Sequence, residues 1–191
     1  KCDSCGAWNS LVEDVEDPNE VTTLAAGMAL VPPGEAQPIN QLDAAVAKPM
    51  PTGISELDRV LDGGLVPGSV TLVGGEPGIG KSTLLLQLLS SWPTKSLYVT
   101  AEESAQQVRM RAERLHALRD DLWLLSEASI TNIISAIDKV KPELIVIDSI
   151  QAVADPALGS APGSVVQVRG CAHRLVQEAK RRNIPTILVG H

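Results

Sequence analysis

With 191 residues, three Trp, one Tyr and no Phe, the chain is long enough for one domain with a sizeable core, and that core has to be aliphatic. An odd number of cysteines, three, speaks against a disulfide framework. There is no signal peptide and no apolar run long enough to span a bilayer, so the chain reads as cytoplasmic, with no membrane partner. The net charge of −7 is uneven: residues 1–50 carry two lysines against eight acids, and the nearly neutral remainder argues neither for nor against nucleic acid.

Residues 1–15 hold Cys2-Asp3-Ser4-Cys5-Gly6, a turn that aims two thiolates at one point. Tetrahedral zinc wants four ligands. Cys171 is far away, in an apolar helical pattern, and the chain has no second Cys-x-x-Cys. Either an upstream pair completes the site or the motif is a bare turn. A redox role lacks the surrounding βαβ context. Residues 16–50 are acidic, then rich in Ala, Pro and Gln, and read as a linker. The chain starts without Met and stops at His191 just after an apolar run, so a fragment of a longer protein is expected.

From residue 51 to 191 the pattern is that of a folded core. Ser55-Glu56-Leu57-Asp58 predicts a capping box, with Ile54, Leu57 and Leu61 at helical spacing and Gly63-Gly64 as a stop. A strand follows at 69–74. Gly75-Glu76-Pro77-Gly78-Ile79-Gly80-Lys81-Ser82-Thr83 then leads into the leucines of a helix that ends before Pro93. Further strands are predicted at 96–100, 122–125, 143–148 and 185–190. Helices with Val108, Ala112 and Leu115, with Ile133, Ile137 and Val140, and with Val165, Val168, Ala172, Leu175 and Ala179 on one face lie between them. Strands alternating with helices, several continuously apolar, predict an α/β fold with a mostly parallel sheet covered on both faces.

The stretch 75–82 reads G-x-x-x-x-G-K-S, a phosphate-binding P-loop in register between a strand and a helix. Glycines let successive N–H groups face a phosphate, and the helix adds its positive end. Lys81 is placed to reach the β- and γ-phosphates and Ser82 to hold Mg²⁺. Asp148, ending the run Leu144-Ile145-Val146-Ile147, is the expected second Mg²⁺ partner. Glu102 and Glu103 follow a strand read as a neighbour of the P-loop strand, and a carboxylate there can serve as base for an attacking water. Two acids at a solvated strand end are also ordinary. His191 ends the last strand, where a polar side chain can bond a γ-phosphate. Residues 151–164, rich in Gly and Pro, predict a flexible loop able to sense the nucleotide.

The set Cys2-x-x-Cys5-Gly6-x-Trp8-Asn9-Ser10, Thr52-Gly53-Ile54-x-Glu56-Leu57-Asp58, the P-loop, Thr100-Ala101-Glu102-Glu103-Ser104 and Val189-Gly190-His191 resembles the bacterial RadA (Sms) DNA-repair ATPases, relatives of RecA and of DnaB-type helicases. The resemblance implies a RecA-like P-loop core at 51–191 that uses ATP and Mg²⁺. It implies Glu102 as the water-activating base, His191 as the γ-phosphate sensor and the loop at 151–164 as DNA-facing. It makes Cys2 and Cys5 the second pair of a four-cysteine zinc ribbon, so Zn²⁺ is expected only with an upstream pair. It further implies hexameric rings on single-stranded and branched DNA, driving branch migration, with the recombinase RecA as a partner. Two other readings stay open: a regulatory ATPase of the KaiC type, and a nucleotide-binding module without turnover.

Overall fold

The computed structural model describes residues 48–191, together with Pro38 and Asn40. Cys2, Cys5 and most of the stretch read as linker lie outside the described residues. The chain divides into two units, Lys1–Leu42 and Asp43–His191, and every element below belongs to the second. Among the described residues no helix is long and apolar enough to cross a membrane.

The described strands are β1 (Val70–Gly74), β2 (Ser96–Thr100), β3 (Leu122–Ser126), β4 (Leu144–Asp148) and β5 (Thr186–Gly190). They form one sheet, parallel throughout, in the order β1-β5-β4-β2-β3. The parallel α/β architecture expected from the alternating pattern is thus present. The strand read as the P-loop strand's neighbour is not: β5 and β4 separate β2 from β1. The three inner strands are buried almost end to end, which is why they read as unbroken apolar runs. The edge strands expose Leu72 and Trp123.

Side chains alternate across the sheet and sort the helices. Leu144 and Val146 of β4 face one core with Tyr98, the leucines of α2 (Lys81–Ser91) and Val108 and Ala112 of α3 (Ala105–Arg114), after the short α1 (Ser55–Val60). Ile145 and Ile147 face the other, with Ile130, Ile133 and Ile137 of α4 (Ile130–Val140) and Cys171 and Leu175 of α5 (Val165–Arg182). Full burial of one such aliphatic side chain contributes about 1.5–3 kcal/mol.

Three local expectations are corrected. Ser55 does not cap α1; Ile54 holds that position without a side-chain bond. Asp58 instead reaches back to Thr52, accepting from its N–H at 2.7 Å and from its hydroxyl at 2.7 Å. The buried stripe of α5 runs Gln167, Cys171, Leu175 and Ala179, leaving Val165 73% exposed. Gln167 turns inward because the backbone of the preceding loop needs partners: it accepts from the Asp155 N–H at 2.8 Å and donates to the carbonyls of Asp155 at 3.0 Å and Ser160 at 2.9 Å. That loop is accordingly not featureless. It carries 3-10 turns at Ile150–Ala152 and Pro156–Leu158, and an Asp155–Arg174 ion pair ties it to α5. Leu158 lies on Gly170 of α5, where a Cβ would sit 2.5 Å from its Cδ1.

The Thr52–Asp58 clasp generates a pH signature. The bonds from the Thr52 hydroxyl and N–H hold the Asp58 carboxyl below the ordinary aspartate value. A carboxylate with a depressed folded pKa contributes stability that is present above its unfolded pKa and lost as pH falls through the folded one. Asp58→Asn should therefore lower the thermal midpoint at neutral pH, and the gap to wild type should close as pH falls below the usual aspartate range. Circular dichroism melts across pH check this; a gap constant down to strongly acid pH would contradict it.

Candidate functional site

Every sequence-predicted site residue among the described ones gathers at the C-terminal edge of the sheet, where parallel α/β folds place ligands. Residues 75–80 leave β1 and turn directly into α2. Gly78 and Gly80 have φ of +81° and +104°, and a Cβ built on either would meet nothing within 4 Å. The conformation, not crowding, demands glycine there. Gly80 is the N-cap of α2, and no side chain caps that turn. By contrast, Ser104 and Gln107 close the first turn of α3 with a reciprocal capping box, and Ser164 caps α5. The first N–H groups of α2 therefore stay available to an anion, with the helix dipole behind them. Lys81 Nζ donates to the carbonyls of Gly75 at 2.6 Å and Glu76 at 2.9 Å, which curls its ammonium back over the loop. Glu76, Pro77 and Ile79 project outward, and Thr83 is half-buried behind Ser82.

Ser82, in the first turn of α2, meets Asp148 although β5 lies between β1, which leads into α2, and β4. Ser82 Oγ donates to Asp148 Oδ2 at 2.6 Å. A third group joins them: Tyr98 OH donates to the same Oδ2 at 2.5 Å. Burial, and then the charge of Asp148, push the Tyr98 phenol well above its usual pKa, so it stays a donor. Among the described residues none donates to Asp148 Oδ1. A serine hydroxyl beside a carboxylate with one free oxygen, under a loop of open N–H groups, fits Mg²⁺, which keeps most of its waters and takes few protein ligands.

The two glutamates have different partners. Glu103 forms an ion pair with Arg111 of α3 at 2.9 Å. Its N–H and carbonyl both bond the Thr100 hydroxyl, which fixes the turn after β2. Glu102 is exposed, and its Oε1 accepts from the hydroxyl of Ser149, the residue after Asp148. β2 and β4 are neighbours with Thr100 opposite Asp148, which brings Glu102 to the same sheet edge as Asp148. His191 follows β5, whose Gly190 pairs with Gly74 of β1, so it stands one strand from the P-loop's start. Gln151 Nε2 donates to the His191 carbonyl at 2.9 Å, linking the end of β5 to the loop at 151–164. Among the described residues no three His, Cys, Asp or Glu side chains converge on a metal.

Tyr98 and Ser149 are the site members that sequence reasoning missed. Tyr98 is the chain's one tyrosine, in an aliphatic strand, two residues before the Thr100–Asp148 pair. A buried phenol needs a partner, and that requirement could have pointed to the nearest strand-end acid. The same ring lines a cavity of about 440 Å³ with Leu86, Val108, Ala112, Leu122 and Leu124.

A family profile described as "ATPase: KaiC" matches residues 50–123. The DNA repair protein RadA of Pseudomonas aeruginosa is 47% identical over 196 residues, spanning all of this chain and 42% of that protein. The same-named proteins of Listeria monocytogenes and Haemophilus influenzae are 45% and 44% identical over 194 and 195 residues, again across the whole chain. The chain thus spans 42–43% of the length of these relatives. The chain is thus similar from end to end to a part of the RadA proteins, and with a P-loop on a parallel five-stranded sheet it carries a RecA-like core.

Proposed function

We propose that this chain is the ATP-hydrolysing core of a DNA-repair ATPase that moves on single-stranded and branched DNA and drives branch migration. The carrying observation is one continuous array at the sheet edge: the open P-loop, the Ser82–Asp148 bond, and Glu102 held by Ser149 beside Asp148. Bound Mg²⁺ would offset phosphate charge and orient the terminal phosphate. Residues 75–83 cradle the phosphates, with Lys81 swinging from the carbonyls of Gly75 and Glu76 to the phosphate oxygens. Ser82 and Asp148 hold the metal. Glu102 takes the proton of the attacking water; Glu103 is engaged by Arg111 and is less free to do so. His191 reads the terminal phosphate, and Gln151 carries that reading to the loop at 151–164, which faces DNA. Action on DNA is in keeping with the relatives' naming as DNA repair proteins, and the same proposal includes a homo-hexameric ring, RecA as a partner and a cytoplasmic setting. A zinc ribbon completed around Cys2 and Cys5 by an upstream pair belongs to the same proposal.

The profile's description names a KaiC-type ATPase, and the second reading is a regulatory ATPase of that type that phosphorylates itself. Radiolabel from the γ-phosphate retained on the protein, independent of DNA, would favour it over hydrolysis coupled to DNA. Phosphate release that rises with single-stranded DNA is the result expected here.

Lys81→Ala should weaken binding of a fluorescent ATP analogue or abolish phosphate release while the melting curve stays cooperative, because the ammonium is exposed to the loop and packs in no core. Unchanged turnover would remove Lys81 from the site.

Glu102→Gln keeps the shape of the side chain and removes its basicity. Turnover should fall about 10²–10⁴-fold, the usual worth of a positioned general base, with nucleotide affinity retained. Glu103→Gln should cost much less. Equal losses, or a loss confined to Glu103, would place the base on the wrong residue.

A further inference from the structure

We propose that Tyr98 is a positioning residue of the metal site, whose phenol decides which oxygen of Asp148 is presented to the divalent cation. The proposal rests on the nucleotide-site reading above and adds to it a buried residue that lies outside the P-loop.

Tyr98 is 1% exposed, and its ring belongs to the core under α2 and α3. It sits on β2, whose pairing places Tyr98 opposite Val146 and Thr100 opposite Asp148. The ring spans that two-residue step, so its hydroxyl arrives at the carboxylate from beneath, at 2.5 Å. Ser82 Oγ reaches the same oxygen from α2 at 2.6 Å. Two donors converging on Oδ2 saturate it and pin the carboxylate plane. Oδ1, to which none of the described residues donates, keeps its lone pairs for a cation or the water bound to it. An aspartate at a strand end with Ser82 as sole partner would be free to rotate either oxygen forward. Mg²⁺ tolerates little departure from octahedral geometry, so a blurred carboxylate weakens its hold. Groups that orient a metal's ligand in this way typically matter 10–100-fold in metal affinity.

The test is Tyr98→Phe, which keeps the ring and removes the donor. Binding of a fluorescent ATP analogue to wild type and variant is titrated with Mg²⁺, repeated with Mn²⁺, and measured without metal in EDTA; melting curves confirm folding. The expected result is a Mg²⁺ midpoint raised roughly 10-fold or more, metal-free nucleotide binding unchanged, and binding restored by excess Mn²⁺, whose sites accept looser geometry. An unchanged Mg²⁺ midpoint in the folded variant overturns the proposal and leaves the nucleotide site standing. Loss of nucleotide binding with and without metal, or loss of the cooperative melt, overturns it too, showing that the ring acts through packing. Wild-type binding indifferent to Mg²⁺ would overturn the metal site and Tyr98's role with it, whereas a wild type that binds no analogue at any Mg²⁺ concentration would overturn the nucleotide-site reading itself.

Discussion

Asp148 Oδ2 is the point where three parts of the molecule have to agree. It receives one hydroxyl from the first turn of α2 and another from the middle of β2, while its own strand runs between β2 and β5. A charge-assisted hydrogen bond contributes about 1.5–3 kcal/mol, and leaving a buried donor without its acceptor costs a similar amount. Strand register, helix placement and the rotamer of a buried ring are therefore coupled through one carboxylate. A shift of β2 against β4 by one residue would carry Tyr98 to the opposite face of the sheet and break the arrangement outright.

The acids of the described core are sorted by what touches them. Glu103 has a guanidinium, Asp155 has another, and Asp58 has the two donors of Thr52. Glu102 has one serine hydroxyl and open solvent. Chemical availability here follows from partners more than from position along the chain. The loop after β4 obeys the same logic: Gln167 and Arg174 of α5 satisfy its backbone and its buried acid, so a Gly- and Pro-rich segment acquires a defined path between β4 and the end of β5.

The parts legible in sequence were those whose physics is local. A P-loop needs glycines, a strand before it and a helix after it, and all lie within a few residues of Lys81. Asp148 stood out as the acid closing an apolar run. Strand order was not legible, because a strand buried on both faces carries no mark of its neighbours; hence β2 was misplaced beside β1. Ser55-x-x-Asp58 fits a capping box, but Asp58 has a better offer from two donors on Thr52, six residues back. The phase of α5 was misread because Gln167 is buried for its bonds to loop backbone, which hydrophobic periodicity does not record. Tyr98 carries no mark in the sequence beyond its place in the strand 96–100; its ring is core and its hydroxyl belongs to the site.

The sheet order also bears on how the molecule is made. β5 is the last of the described strands in sequence, yet it lies between β1 and β4, pairing Thr186 with both Val70 and Ile145. A chain leaving the ribosome exposes its P-loop early and Asp148 later, but lacks the strand that sets their spacing. Contacts so distant in sequence form late, after the entropy of a long closure has been met. β1 and the β5-facing edge of β4 stay unpaired until Thr186–Gly190 emerges, and an unfinished sheet of that kind is prone to aggregate.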